Sequence, residues 1–143
     1  MKTIVFVCTG NTCRSPMAEG IMRQMLREYG IGDVNVTSCG LYVGDELREP
    51  PTGKAVRAVG SLYGVDISAH RTRALSEVIE QGDLFIGLTK GHANDLVTKH
   101  HLPADKVIAM DVDDPCGGDE MEYQEVAIDI HTYLLRHLKE ICR

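Results

Sequence analysis

Residues 3–17 read TIVFVCTGNTCRSPM, and this stretch predicts both a fold and a site. The apolar, β-branched run at residues 4–7 is typical of a short buried strand. Ser15 and Pro16 are typical of a helix start, with serine as the capping residue and proline in the first helical position. A strand that runs through a polar loop into a helix forms a cradle for an oxyanion, because loop amides and the helix N-terminus converge there.

Two residues of this loop suit attack on a phosphoryl group. Cys8 begins the loop, and a thiol becomes nucleophilic when a helix N-terminus and a nearby cation promote its ionisation. Arg14 can hold two phosphoryl oxygens in a bidentate fork, which a lysine cannot do. Gly10 permits close approach of the backbone, and Asn11 tolerates a left-handed conformation. The residues predicted to surround the phosphate, called the phosphate loop together with Cys8, are Thr9, Gly10, Asn11, Thr12, Cys13, Arg14 and Ser15.

The segment CTGNTCRSP resembles the phosphate-binding loop of the low-molecular-weight protein tyrosine phosphatase family. The resemblance extends from Lys2 to the C-terminal helix. It implies a cysteinyl-phosphate mechanism, with Cys8 as the nucleophile and Arg14 as the clamp on the transition state. It also implies a general acid in a distant Asp-Pro pair, which is Asp114-Pro115 in this chain.

Further residues are predicted to support the loop or to react with it. Residues 67–73, ISAHRTR, are similar to the family's Ser-x-His-Arg-x-Arg region, which implies that His70 supports the loop through Asn11. Ser38, in the predicted second strand, is expected to lie behind the loop together with His70. The two arginines of residues 67–73 are interpreted as surface charges. Cys13 either packs or captures oxidised Cys8 as a disulfide, since a second thiol beside a reactive one is a redox-sensitive arrangement.

Length and composition limit the class of protein. A chain of 143 residues is predicted to form one domain, residues 1–143, with a substantial core. A net charge of −6 argues against nucleic acid as a partner. No apolar run approaches the roughly 20 residues of a membrane span, and no signal peptide is predicted. Five cysteines without a CxxC pair indicate neither a disulfide framework nor a zinc site, so we expect reduced thiols and a cytoplasmic location.

Hydrophobic spacing predicts strands that alternate with helices. The predicted strands are residues 4–7, 34–38, 83–89 and 106–110, and the predicted helices are residues 16–29, 53–63, 90–100 and 123–141. This order predicts an α/β fold, a single doubly wound domain whose four-stranded parallel sheet is flanked by helices on both faces. The histidines outside residues 67–73 show no metal-ligand spacing and are interpreted as surface residues: His92, His100, His101, His131 and His137.

The acidic loop after the last predicted strand is the expected source of the acid. Proline restricts the residue before it, which fixes the direction of the Asp114 carboxyl. An acid that protonates the leaving group and then activates water contributes roughly 10²–10⁴-fold to the rate. Asp113 is the second candidate. With Asp111, these aspartates form a cluster that also suits a bound cation or plain solvation, although neither a metal nor an organic cofactor is expected.

Thr12 is the residue on which the predicted substrate depends. Tyrosine phosphatases of the resembled family usually carry isoleucine or leucine there, whereas threonine, together with Thr89 and the Asp-Pro-x-Gly-Gly loop, resembles its protein arginine phosphatase branch. Cys116 departs from both branches, which have an aromatic residue at that position, and Tyr42 is a candidate wall of the pocket. We therefore expect a phosphorylated protein as substrate, phosphoarginine before phosphotyrosine, with phosphate and other oxyanions as inhibitors.

Three other functions fit parts of the same sequence. Arsenate reductases share the loop, but they need further cysteines near the third helix, and residues 76–100 contain none. A phosphoryl carrier would not need Arg14 together with a hydrolytic acid. A non-catalytic phosphate-binding module would not need Cys8, Arg14 and Asp114 together.

Overall fold

The computed structural model describes residues 1–44 and 48–143 of the chain. Within these ranges strands and helices alternate, as the hydrophobic spacing predicts. The strands are β1 (Lys2–Cys8), β2 (Val34–Gly40), β3 (Leu84–Gly87) and β4 (Val107–Ala109). The α-helices are α1 (Arg14–Glu28), α2 (Gly53–Tyr63), α3 (Lys90–Thr98) and α4 (Glu120–Cys142).

The strands form one parallel sheet in the order β2-β1-β3-β4. β1 is central and buried on both faces, which explains why its sequence is a continuous apolar run and does not alternate. Its last residue, Cys8, lies opposite Gly40 of β2. The predicted four-stranded parallel sheet is confirmed.

Helices cover both faces of the sheet, as the sequence predicts. Ile4, Phe6 and Cys8 of β1 belong to the core formed with α1, α2 and α4. Val5 and Val7 belong to the core on the other face, which includes Leu96 of α3. None of the helices in the described part of the chain is both long and apolar enough to cross a membrane.

The strand order determines where a site can form. The chain leaves β1 toward α1 on one face, and it leaves β3 toward α3 on the other face. In an open α/β sheet, such a divergence opens a crevice at the carboxyl ends of the two strands. Cys8 lies at the carboxyl end of β1, within this crevice.

Two predicted boundaries are wrong near the site. The helix α1 begins at Arg14 and not after Ser15, and its capping residue is Cys13, which makes no side-chain cap. β2 continues to Gly40, a residue that the sequence places in a loop. Residues 45–47 of that predicted loop lie outside the described residues.

Candidate active site

Cys8 is buried at the end of β1, and hydrogen-bond donors lie around its sulfur. The Asn11 backbone N–H donates to Cys8 Sγ over 3.3 Å. The Ser15 hydroxyl lies 2.8 Å from the same sulfur, and it already accepts a bond from the Asn11 side-chain amide. The Ser15 proton is therefore available to the sulfur, and this role explains why Ser15 does not cap α1.

Asn11 is the centre of the hydrogen bonds that hold the phosphate loop. Its φ of 56° is left-handed, which asparagine tolerates better than most residues. Its side-chain amide donates to Ser15 Oγ at 2.9 Å and to Ser38 Oγ at 3.0 Å, and its Oδ1 accepts from the Arg73 backbone N–H at 2.8 Å. His70 Nε2 lies 3.1 Å from the Asn11 carbonyl oxygen, which requires the Nε2–H tautomer. Burial lowers the pKa of His70.

Two charged residues behind the loop were not predicted. Glu19 is buried, accepts a 2.7 Å bond from the Ser38 hydroxyl and pairs with Arg23 at 2.7 Å. The Arg73 guanidinium donates to Ser38 O at 3.1 Å and to Thr37 Oγ1 at 2.9 Å, so its interpretation as a surface charge is wrong. The similarity of residues 67–73 to a family motif indicated the segment but not this contact, because the residues that Arg73 contacts are far away in sequence.

Arg14 is buried beside Cys8 with part of its hydrogen-bonding capacity unused. Nη1 donates to Val112 O at 3.3 Å, and Nη2 lies 3.6 Å from Asp114 Oδ2. Nε is buried and has no acceptor among the described residues. A buried guanidinium N–H without a partner costs free energy, and a phosphoryl oxygen in the loop would satisfy it.

A cavity of about 240 Å³, here called the Cys8 cavity, lies over the sulfur. It is lined by Cys8, Thr9, Gly10, Thr12, Cys13, Arg14, Thr52, Asp114, Cys116 and Tyr123. Asn11 and Ser15 do not line it, because their side chains lie behind the loop. Tyr42, predicted as a pocket wall, is two-thirds exposed and lines a neighbouring groove that shares Gly10 and Thr12 with this cavity.

The acidic loop contributes Asp114 and Cys116 to the rim of the cavity. Asp114 Oδ1 accepts a 3.0 Å bond from the Cys116 backbone N–H, and the side chain of Asp114 is 55% exposed. Asp113 does not line the cavity. Tyr123, predicted only as a core residue of the last helix, supplies an aromatic wall opposite the loop. Within the described residues, no three side chains converge to hold a metal ion.

His92 supports the loop from the α3 side, so its interpretation as a surface residue is wrong. It is 8% exposed, and its Nε2 lies 2.9 Å from Thr9 Oγ1. Its Nδ1 lies 3.0 Å from Thr89 Oγ1, which also accepts the His92 backbone N–H and caps α3. Burial, together with the positive charge of Arg14, lowers the pKa of His92 and so favours the neutral ring.

Cys13 and Gly40 complete the surroundings of the loop. Burial, with a further contribution from the nearby Cys8, raises the pKa of Cys13 to about 12, so this thiol stays protonated at neutral pH. Gly40 was not predicted to matter. A Cβ at this position would lie 2.7 Å from Thr9 O and 3.1 Å from Asn11 N, so only glycine allows β2 to approach the loop this closely.

Comparison of the sequence with known proteins points to one protein family. A profile described as low molecular weight phosphotyrosine protein phosphatase matches residues 3–143. The protein-arginine-phosphatase of Bacillus subtilis is 33% identical over 152 residues, covering 98% of this chain and 91% of that protein. Low molecular weight protein-tyrosine phosphatase A of Mycobacterium tuberculosis is 36% identical over 146 residues, covering 92% and 86%. Arsenate reductase 1 of Staphylococcus haemolyticus is 33% identical over 136 residues, covering 90% and 89%.

Solved structures share the fold over nearly the whole chain. A low molecular weight protein tyrosine phosphatase from T. tengcongensis has a TM-score of 0.89 at 32% identity, covering 98% of this chain and 99% of that one. A mutant arginine phosphatase with a phosphorylated active-site serine has a TM-score of 0.86 at 29% identity, covering 97% and 95%. The chain belongs to the low molecular weight phosphotyrosine protein phosphatase family.

Proposed function

We propose that Cys8 is the nucleophile of this phosphatase and carries the phosphoryl group during turnover. The thiolate sulfur forms a bond to phosphorus while the bond from phosphorus to the leaving atom breaks, and Asp114 gives that atom a proton. The Asp114 carboxylate then takes a proton from water, whose oxygen bonds phosphorus as the S–P bond breaks. Phosphate and the dephosphorylated substrate leave, and the thiolate is restored.

The observation that carries this proposal is the arrangement of Arg14. Its guanidinium is buried at the Cys8 cavity, and its Nε has no acceptor in the described part of the chain. Donors fixed in advance around developing negative charge are the largest single source of catalysis in many enzymes. Substitution of Arg14 by lysine should therefore raise KM and lower kcat together, since lysine keeps the charge but loses the fork. An Arg14→Lys enzyme with wild-type kinetics would contradict the clamp.

Asp114 is favoured over Asp113 as the acid because only Asp114 lines the Cys8 cavity. Its Oδ2 also lies close to Arg14, where an oxygen of the substrate would be held. Asp114→Ala should slow hydrolysis of phenyl phosphate, a poor leaving group, by about 10²–10⁴-fold. Release of p-nitrophenol in the first turnover of p-nitrophenyl phosphate, which reports the phosphorylation step alone, should slow much less, and Asp113→Ala is the matched control. Equal loss on both substrates would remove Asp114 from the acid role.

We further propose that the preferred substrate is phosphoarginine. The Thr12 hydroxyl at the Cys8 cavity suits the N–H groups of a guanidinium leaving group, and the Asp114 carboxyl lies at the same opening. Phosphotyrosine is favoured by apolar and aromatic walls, and Tyr123 is the sole aromatic residue among the described residues that line this cavity. The 33% identity to an arginine phosphatase is consistent with this preference without deciding it, since a tyrosine phosphatase is 36% identical.

The substrate test compares kcat/KM for phosphoarginine and phosphotyrosine peptides of matched sequence. We expect the wild-type enzyme to prefer phosphoarginine by about tenfold or more, the discrimination that one polar contact can supply. Thr12→Ile should shift the ratio toward phosphotyrosine, and Thr98→Val, on the exposed end of α3, is the control. A wild-type preference for phosphotyrosine would contradict the proposal.

Arsenate reduction is the second candidate, favoured by one specific feature. Three thiols, those of Cys8, Cys13 and Cys116, line the same cavity. Two thiols that become a disulfide would supply the two electrons that reduce arsenate to arsenite. Against this, residues 76–100, around the third helix, contain none of the further cysteines that such reductases need. Arsenite formation from arsenate with a dithiol reductant, lost in Cys116→Ser, would establish this activity; phosphatase activity without arsenite would dismiss it.

We also propose that oxidised Cys8 is captured by Cys13 and that dithiol restores activity. After mild peroxide treatment, recovery of the wild-type enzyme by thiol should exceed that of Cys13→Ala. Equal recovery would assign the protection to another cysteine or to none. We propose, in addition, that the substrate is a phosphorylated protein and that phosphate and other oxyanions inhibit the enzyme. We also propose that residues 1–143 form a single domain and that the protein is cytoplasmic.

A further inference from the structure

A second cavity lies behind the phosphate loop, on the side away from Cys8. Its volume is about 450 Å³, compared with about 240 Å³ for the Cys8 cavity. It lies between one side of α1 and the segment that follows α2, and we call it the rear cavity. It is lined by Pro16, Glu19, Gly20, Arg23, Arg27, Gly64, Val65, Asp66, Ile67, Ala69, His70, Arg71 and Arg73.

The lining of the rear cavity is positively charged in an otherwise acidic protein. It contains four arginines against two carboxylates, whereas the whole chain has a net charge of −6. Concave surfaces lined by one sign of charge concentrate the potential and attract ligands of the opposite sign. The rear cavity is therefore a surface, distinct from the Cys8 cavity, to which anions are attracted although the net charge of the chain is negative.

Much of this charge is not neutralised inside the protein. Glu19 pairs with Arg23 at 2.7 Å and lies 3.7 Å from Arg73. Neither Arg27 nor Arg71 has a carboxylate within 4.0 Å in the described ranges, and Arg71 donates only to backbone oxygens of its own segment. Both are exposed, so their remaining N–H groups are free to bind a ligand.

The shape of the rear cavity points to a compact ligand with several phosphate groups. A volume of about 450 Å³ lies in the range of about 300–1,000 Å³ that is usual for small-molecule sites. Guanidinium groups bind phosphate oxygens in bidentate pairs, and arginines on both walls suit a chain of phosphates better than a single one. We propose that the rear cavity binds an oligophosphate, either inorganic or carried by a nucleotide.

Three residues that line the rear cavity also hold the phosphate loop. His70 and Arg73 bond Asn11 directly, and Glu19 accepts the hydroxyl of Ser38, which in turn accepts from Asn11. The negative charge of an oligophosphate bound behind the loop therefore repels a second anion at the Cys8 site. Bound oligophosphate lowers the affinity of the Cys8 site for phosphate, and by reciprocity an anion at Cys8 lowers the affinity of the rear cavity.

The test is calorimetric titration of sodium tripolyphosphate into the reduced wild-type enzyme and three variants. Arg27→Gln/Arg71→Gln removes the two arginines without carboxylate partners, and it should weaken binding by at least about tenfold, or about 1.4 kcal/mol. Arg136→Gln removes an exposed charge of α4, remote from the lining, and should bind like the wild type. Cys8→Ser keeps the rear cavity and should also bind. No binding, or equal binding by the double variant, would overturn the proposal.

Two further readouts separate this site from the Cys8 site. Tripolyphosphate should shift the ring-proton NMR signals of His70 in the wild type but much less in the double variant; unchanged signals in the wild type would contradict the proposal. The double variant should keep wild-type kcat/KM for p-nitrophenyl phosphate, so a loss of binding is distinguishable from a loss of catalysis. A parallel titration with ATP identifies the source: tighter binding than tripolyphosphate indicates a nucleotide, and equal binding indicates the phosphate chain alone.

Discussion

Removal of the Asn11 side chain is the sharpest test of how the loop is held. Asn11→Ala deletes three side-chain hydrogen bonds: two buried ones to Ser15 and Ser38, and a part-buried one from the Arg73 backbone. At about 1 kcal/mol for each bond, and about 1 kcal/mol for alanine in the left-handed region, unfolding should become easier by about 4 kcal/mol. At roughly 3 °C for each kcal/mol, the melting temperature should fall by about 12 °C.

The same substitution should impair catalysis more than stability alone explains. The Asn11 backbone N–H donates to Cys8 Sγ, so a shift of the loop backbone displaces the donors around the sulfur. A misplacement of about 1 Å can cost about 10²-fold in rate, and we expect a fall of that order in kcat/KM for p-nitrophenyl phosphate, measured well below the melting temperature.

Two further variants separate the lost hydrogen bonds from backbone strain and from a general effect of substitution. Asn11→Gly loses the same three bonds without the left-handed strain, so it should be less destabilised than Asn11→Ala, by up to about 1 kcal/mol. Asn94→Ala, at an exposed position of α3, should change stability by no more than about 0.5 kcal/mol. If urea unfolding shows that Asn11→Ala loses less than about 1 kcal/mol, the hydrogen bonds around Asn11 do not hold the loop.

Three other predictions test the surroundings of the site. Gly40→Ala should lose about 1–3 kcal/mol, because its Cβ would meet backbone atoms of the phosphate loop, whereas Gly32→Ala has nothing within 4 Å; equal melting temperatures would contradict the close approach. As pH falls below about 6.5, unfolded histidine takes up protons before buried His92 does, so the free energy of unfolding should fall. His92→Gln should make that fall shallower, and an unchanged slope in urea unfolding would remove His92 as a cause. Iodoacetamide should label exposed Cys116 long before Cys39, whose burial raises its thiol pKa; equal labelling by peptide mass spectrometry would contradict the described burial.

The sequence predicted the features that are determined by residues close together along the chain. The continuous apolar run of β1 indicated a strand buried on both faces, and Gly64 correctly marked the end of α2, where its φ is 66°. Cys8 and Arg14 were recognisable because their spacing falls at the junction of a strand and a helix. The start of α1 was misplaced because Ser15, a good capping residue, uses its hydroxyl on Cys8 instead.

The missed residues depend on partners that are distant along the chain. His92 is separated from Thr9 by 83 positions, so nothing in its own segment distinguishes it from an exposed histidine. Its only local signal is Thr89, which caps α3 and also faces the ring. Glu19 resembles an exposed helix residue, and only the arrival of Ser38 from β2 explains its burial. Tertiary contacts of this kind cannot be inferred from periodicity.

The most direct test of the account is to trap the phosphorylated enzyme. Asp114→Ala should still be phosphorylated by p-nitrophenyl phosphate, whose leaving group needs little protonation, but water should attack the intermediate slowly. After rapid acid quench, peptide mass spectrometry should find one phosphoryl group on the peptide that contains Cys8, and Cys8→Ser should have no turnover. Turnover without phosphorylated Cys8, or a Cys8→Ser enzyme with the wild-type rate, would contradict the mechanism.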